Sequence, residues 1–364
     1  MLRTALAGLA GLAAAMGIGR FAFTPLLPLM QESDGLSLAQ GGWLASANYI
    51  GYFAGALLAT RVRPGLPASL ATIAATTLAM GLAHGMAAWL TLRFAAGVAS
   101  AWALVQISAW ALPRLNARLA GVVFAGVGTG MALAGAACLA LMQLGASASQ
   151  AWLALGVVAA AIALALAFVR TEDAARPAPA PAFVWSGEAR RLVLCYGAFG
   201  FGYIIPATYV PAMARAVLPD PALFGWAWPI FGVAAAASTI FAPRALGHRR
   251  LWALAALAMA AGVAAPLAVA GAAGVLLSAI LVGATFMVIT MAGMQEARAV
   301  AGAGAAPLMA AMTAAFAAGQ IAGPLLVSAL AHMKGGVAVA LALAAVTLVL
   351  SALALFFQEK PCPT

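Results

Sequence analysis

Long stretches of apolar residues recur along the chain, separated by short groups of charged residues, Pro and Gly. A helix needs about 20 apolar residues to cross the hydrocarbon core of a bilayer, and each stretch is close to that length. The pattern predicts an all-α integral membrane protein with twelve transmembrane helices, at residues 4–30, 41–60, 68–88, 89–113, 117–144, 150–169, 192–217, 223–243, 251–271, 273–296, 305–332 and 335–357.

Composition supports this interpretation, because 66% of the 364 residues are apolar and 7% are charged. A soluble domain has about 45–50% apolar and 25% charged residues, so a soluble protein is excluded. The first apolar stretch resembles a signal peptide, but it continues past the small-residue site at residues 13–15 as far as Met30. We interpret it as a retained helix.

The only long polar interruption spans residues 170–191 and contains Pro177, Pro179 and Pro181. Alternating prolines keep a segment extended and prevent a helix. We therefore predict an N-terminal six-helix bundle at 1–169, a cytoplasmic linker at 170–191 and a C-terminal six-helix bundle at 192–364.

The net charge of +10 would suggest nucleic acid in a soluble protein, but the basic residues stand singly between apolar runs. With both termini in the cytoplasm, 14 of the 18 basic residues fall in inner segments, whereas Arg215 and Lys334 fall in outer ones. This bias is the one that the positive-inside rule predicts. We expect both termini to be cytoplasmic, in the plasma or inner membrane, with the lipid bilayer as a partner and no nucleic acid.

The two halves carry an internal repeat. Gly17, Gly19, Pro28 and Met30 recur as Gly200, Gly202, Pro211 and Met213 at a constant offset of 183 residues, which also relates Gly42-Trp43 to Gly225-Trp226. Such a repeat predicts two six-span halves with the same orientation, an arrangement found in secondary transporters.

Three blocks carry a more specific resemblance: Gly17–Phe21 leading to Pro25 and Pro28, Phe199–Thr208, and Gly319–Pro324. They resemble the YbfB/YjiJ-like branch of the major facilitator superfamily, over essentially the whole chain. The resemblance implies this fold and a transport function without a substrate. Two superfamily signatures differ here: Ala96 stands where a Gln is common, and the loop residues Thr60-Arg61 and Pro243-Arg244 lack the acid of the usual gate.

Arg20 is the most informative residue of the sequence. It lies about 10 residues before the outer end of its helix, which is roughly 15 Å deep at 1.5 Å per residue. A charge at that depth costs several kcal/mol without a partner or a polar cavity, and all eight acids fall in loops, tails or helix ends. We predict that Arg20 contacts an anionic or carbonyl-bearing substrate. The alternative is that Arg20 bonds to carbonyls freed by Pro25 and Pro28.

Several other polar residues of the spans are candidates for the substrate site. Arg93 lies close enough to the predicted outer end of its span to reach the interface, so a substrate contact and an interfacial position are both open. The repeat places Tyr203 opposite Arg20. The secondary candidates, for which hydrogen bonding between helices is an equal alternative, are Asn48, Tyr209 and Gln320.

Energy coupling has fewer candidates. Arginine does not deprotonate in proteins, which leaves Glu296, His84 and His332 as titratable groups near the membrane. Glu296 is a weak candidate for coupling to a co-transported proton. The three cysteines have no metal-like spacing, and we expect no metal site and no cofactor.

These features predict a secondary active transporter, working as a monomer, that moves a small anionic or zwitterionic organic solute by alternating access. The alternative is a drug or metabolite efflux carrier with the same fold. The chain has no catalytic motif and no phosphate-binding loop of an ATPase, so it is not expected to be an enzyme or an ATP-driven pump.

Overall fold

The computed structural model describes residues 1–59, 61–62, 65–168, 185–217, 225–243, 245–330 and 333–356, with the backbone alone for 38–39, 209–217, 303 and 328. The described part contains twelve helices: α1 (Leu2–Ser33), α2 (Leu38–Leu58), α3 (Leu66–Leu82), α4 (Met86–Ala111), α5 (Ala117–Gln143), α6 (Ala148–Leu166), α7 (Gly187–Val217), α8 (Ala227–Phe241), α9 (His248–Ala268), α10 (Gly271–Ala301), α11 (Ala305–Leu330) and α12 (Gly336–Phe356).

Most of these helices are suited to a bilayer. Within the described ranges, nine are long and apolar enough to cross a membrane, whereas α3 and α8 are shorter apolar helices. The prediction of an all-α membrane protein with twelve helices is confirmed. Most of the predicted linker lies outside the described residues, and its last residues, 187–191, are helical at the start of α7.

Helix α1 forms a single span, but its α-helical hydrogen bonding is interrupted. Its α-helical parts, Leu2–Leu12 and Phe23–Ser33, are separated by a π-helical segment, Ala13–Ile18, and a turn at residues 19–22. Pro25 has no N–H to donate, and the Thr24 N–H donates to the Phe21 carbonyl at 3.2 Å. The interruption therefore frees main-chain carbonyls inside the protein, and Arg20 lies within it.

Packing pairs reveal the symmetry of the molecule. In the first half α1 packs on α5, α2 on α4 and α3 on α6, and in the second half α7 packs on α11, α8 on α10 and α9 on α12. The two halves meet where α5 packs on α8 and α2 packs on α11. The repeat relates α5 to α11 and α2 to α8, so it exchanges these two contacts. The halves are therefore related by a pseudo-two-fold axis.

Glycines allow the close approach between the halves along α5. A Cβ on Gly128 would lie 2.5 Å from the Gly232 carbonyl oxygen and 2.9 Å from the Ala235 carbonyl carbon, both on α8. A Cβ on Gly121 would overlap the Thr239 carbonyl of the same helix. The neighbouring Gly130 instead faces α1. These small residues thus allow close helix packing, and the contacts with α8 and α1 use different faces of α5.

Candidate functional site

The centre of the molecule contains an arginine that joins the two halves. The Arg20 side chain, 2% exposed, donates from Nη2 to Oε1 of Gln320 on α11, which is fully buried. Arg20 stands in the interrupted part of α1, so its position depends on that interruption. The structure thus brings together two predicted residues that are 300 positions apart in the sequence.

Aromatic rings surround the Arg20 guanidinium. Its Cζ lies 3.6 Å from the ring centroid of Tyr52, 5.6 Å from that of Tyr49 and 5.4 Å from that of Phe21. A cation over an aromatic face within about 6 Å is stabilised by the ring quadrupole. These rings partly offset the cost of burying the charge, but they accept no conventional hydrogen bond.

The unpartnered polar atoms of Arg20, Gln320 and Tyr203 can all donate a hydrogen bond. Within the described residues, Nε and Nη1 of Arg20, Nε2 of Gln320 and the hydroxyl of Tyr203 have no hydrogen-bond partner. The amide orientation of Gln320 follows from chemistry, because only its oxygen can accept from an arginine. A buried donor without an acceptor costs about 1–3 kcal/mol. This centre is therefore complementary to a ligand rich in acceptors.

Tyr203 is fully buried on α7. Its ring stacks on Phe286 of α10, with centroids 4.3 Å apart and planes at 11°, and on Phe316 of α11, with centroids 6.0 Å apart. Phe286 also meets Phe21 of α1 edge to face at 5.7 Å. The second half thus presents a group of stacked rings beside the charged residue of the first half.

Arg93 does not reach the membrane interface. Its side chain is 2% exposed, and its guanidinium donates to the Gly19 carbonyl at 3.2 Å and to the Arg20 carbonyl at 3.0 Å. Ser100 lies two turns further along the same face of α4, and its hydroxyl donates to the Ala15 carbonyl at 2.8 Å. The alternative weighed for Arg20, bonding to freed carbonyls, is thus the arrangement found at Arg93.

Asn48 and Glu296 are partnered by other residues than Arg20, and Asn48 keeps an unpartnered Oδ1. Asn48 is buried and donates from Nδ2 to the Arg93 carbonyl at 3.0 Å, which ties α2 to α4. Glu296 pairs with Arg249 at 3.5 Å, and Arg249 also pairs with Glu188 at the start of α7. Glu296 follows Phe286 by ten residues on α10, or about 15 Å of helix. The Tyr209 side chain and His332 lie outside the described residues.

An open cavity of about 370 Å³ lies between the halves at the end of the molecule that holds Glu296. Its lining includes Leu115 of the first half and His248, Gln295 and Arg298 of the second. Polar and basic groups line this cavity without reaching Arg20.

Sequence reasoning missed the rings of Phe286 and Phe316. In a membrane helix that is apolar all round, the sequence does not indicate whether a phenylalanine faces lipid or the protein interior. Their proximity to Tyr203 depends on the packing of α7, α10 and α11.

A family model described as "Uncharacterised MFS-type transporter YbfB" matches residues 12–356. The chain belongs to this family of membrane transporters. A 98-residue stretch is 35% identical to the "Uncharacterized MFS-type transporter YceJ" of Bacillus subtilis (strain 168), and it spans 25% of this chain and 25% of that relative. Family membership confirms the resemblance seen in the sequence and classes the chain as an MFS-type membrane transporter rather than an enzyme.

The fold is also that of a solved transporter. The structure of the human organic anion transporter MFSD10 (TETRAN) superposes with a TM-score of 0.69, over 97% of this chain and 98% of that one, at 15% sequence identity. At this identity the likeness establishes the major facilitator fold alone.

Proposed function

We propose that this family member is a secondary transporter of small organic anions, with Arg20, Gln320 and Tyr203 binding the anionic group. The observation that carries the proposal is the set of buried donors without acceptors around Arg20. An ionised carboxylate accepts several hydrogen bonds and donates none. It would satisfy these donors and neutralise the buried charge in one step.

The surrounding charges favour an anion over a cation or a zwitterion. The acids of the described residues, Glu32, Asp34, Glu188 and Glu296, lie near helix ends, so none is placed beside Arg20 to receive a positive group. Human MFSD10, which shares the fold, is named an organic anion transporter, and that name is consistent with this choice.

The location of the site suits alternating access. Arg20 belongs to the first half and Gln320 to the second, and their hydrogen bond joins the two halves. An anion that takes over donors from both residues would bind where the halves move against each other. Arg93 and Asn48 have a supporting role in this proposal, because they hold the main chain that carries Arg20.

The proposed orientation places both termini in the cytoplasm of a monomeric protein in the plasma membrane, as the distribution of basic residues predicts. Import of a monoanion against an inside-negative potential costs about 2.3 kcal/mol per 100 mV. Import therefore requires a co-transported cation such as a proton, with Glu296 as the weak predicted carrier, whereas export does not.

Ligand stabilisation of the detergent-purified protein tests the proposed function. The ligands are sodium benzoate, succinate and acetate as anions, choline as a cation and benzamide as a neutral compound. The variants are Arg20→Gln and a control, Arg118→Gln, which removes the same charge at an exposed position. A ligand present at 100 times its Kd stabilises a protein by about 2.7 kcal/mol.

We expect at least one anion to raise the melting temperature of wild type and Arg118→Gln but not of folded Arg20→Gln. Arg20→Lys keeps the charge and should retain part of the shift. Stabilisation by choline or benzamide alone, equal in all variants, would contradict an anion site and favour the efflux carrier.

A further inference from the structure

We propose that the transported anion is an aromatic monocarboxylate, an inference that rests on the proposed function. Its carboxylate would bind the open donors of Arg20, and its ring would lie among the stacked rings of the second half. Two independent features of the site point to this chemical class: the number of arginines with an open terminal nitrogen and the nature of the surrounding side chains.

The number of available cations sets the number of carboxylates. Arg20 and Arg93 are the buried arginines of the described helices. Both Nη atoms of Arg93 donate to main-chain carbonyls, at 3.2 and 3.0 Å, and only its Nε is left without a partner. Arg20 uses Nη2 on Gln320 and leaves Nε and Nη1 open. Of the two, Arg20 is therefore the arginine with two nitrogens, one of them terminal, open to a carboxylate. A second buried carboxylate would lack such a partner, which is strongly unfavourable.

The side chains next to these donors set the rest of the ligand. Tyr52 lies on one face of the guanidinium, with its centroid 3.6 Å from Cζ. The hydroxyl of Tyr203 is among the open donors, and the ring of Tyr203 is stacked with Phe286 at 4.3 Å. A ligand that reaches both Arg20 and the Tyr203 hydroxyl would therefore lie against the faces or edges of aromatic rings.

A planar ring gains more from such faces than a saturated ring of the same size. Offset-stacked and edge-to-face ring pairs are worth roughly 2- to 10-fold in affinity beyond the area that they bury. The ratio of the Kd values of cyclohexanecarboxylate and benzoate measures this aromatic contribution, because both ligands carry one carboxylate on a six-membered ring.

The experiment measures Kd by isothermal titration calorimetry on detergent-purified full-length protein. The four ligands are benzoate, cyclohexanecarboxylate, phthalate and benzamide. We expect benzoate to bind roughly 2- to 10-fold more tightly than cyclohexanecarboxylate. Phthalate, with a second carboxylate, and benzamide, with none ionised, should each bind more than about 10-fold more weakly than benzoate.

Variants connect this preference to the rings. Phe286→Leu should reduce the ratio of the two Kd values, cyclohexanecarboxylate over benzoate, to about 1 while both ligands still bind. The control Phe94→Leu removes an aromatic ring that is 40% exposed on α4, and it should leave the ratio unchanged. If Phe286→Leu does not fold, Tyr203→Phe keeps the ring, and it should weaken both carboxylates equally by removing one donor.

The outcomes separate the inference from the proposed function. Equal Kd values for benzoate and cyclohexanecarboxylate in wild type would overturn the aromatic preference and leave an anion transporter. Tighter binding of phthalate would overturn the single-carboxylate assignment. If no carboxylate binds wild type, both this inference and the proposed function fail.

Discussion

The contact between α5 and α8 offers a direct test of how closely the two halves must approach. Gly128→Ala adds one methyl group where the Gly232 carbonyl oxygen would lie 2.5 Å and the Ala235 carbonyl carbon 2.9 Å from the new Cβ. Both neighbours are main-chain atoms, so no side-chain rotation relieves the overlap. Ordinary van der Waals contact begins near 3.4 Å, and the two helices must therefore separate by close to 1 Å.

The cost of this separation follows from core overpacking, which is typically about 1–3 kcal/mol per inserted group. A penalty of that size on one conformation changes its population relative to another by about 5- to 150-fold. We expect Gly128→Ala to lower the free energy of unfolding by about 1–3 kcal/mol and to change the rate of solute transport. SDS titration of the purified protein measures the first, and uptake into proteoliposomes measures the second.

Gly42→Ala is the matched control. Gly42 lies within α2, and a Cβ at this position would have no neighbour within 4 Å. Alanine is a better helix former than glycine by about 0.5–1 kcal/mol, so this variant should be as stable as wild type or more stable. If Gly128→Ala unfolds and transports like Gly42→Ala, the close approach of α5 and α8 is not required and the reasoning is refuted.

Three further variants test the support of the site and its coupling. Arg93→Lys keeps the charge but cannot reach both carbonyls. Since a hydrogen bond to a charged group is worth about 1.5–3 kcal/mol, we expect the free energy of unfolding in SDS to fall by that amount and anion binding to weaken. Unchanged unfolding and binding would count against a role of Arg93 in holding α1. Ser100→Ala removes the 2.8 Å hydrogen bond to α1 and should cost about 1 kcal/mol in the same unfolding assay, with an unaltered transition as the contrary result. Glu296→Gln should abolish solute accumulation driven by an imposed pH gradient in proteoliposomes while leaving anion binding intact, and persistence of that accumulation would exclude Glu296 as the coupling residue.

The fold was predictable because the length of the apolar stretches and the internal repeat can both be read directly from the sequence. Apolar length identifies a membrane helix, and the offset of 183 residues relates the two halves. The prolines at 25 and 28 indicated an irregular first helix. The interruption is longer than these prolines indicate: it extends back to Ala13 as a π-helical segment, which packs on α5 and α4.

The candidate site was only partly predictable. The depth of Arg20 marked it as a functional candidate, and the repeat pointed to Tyr203 across the axis. The partner of Arg20 was not predictable, because Gln320 lies 300 residues away on α11 and an amide carries no charge to signal the pairing. The depth of Arg93 was misjudged, because a position near a predicted helix end does not reveal whether that face of α4 is covered by α1.

The two buried arginines have different roles at the interruption of α1. The interruption of α1 frees carbonyls at Gly19 and Arg20, which water cannot reach inside the molecule, and Arg93 satisfies both. Because these carbonyls occupy its two terminal nitrogens, Arg93 keeps only its Nε open to a ligand. Arg20 projects from the same interruption but finds one amide oxygen and ring faces. Since a charge in such surroundings retains open donors, substitution of Arg20 should act on ligand binding, and substitution of Arg93 should act first on the stability of α1.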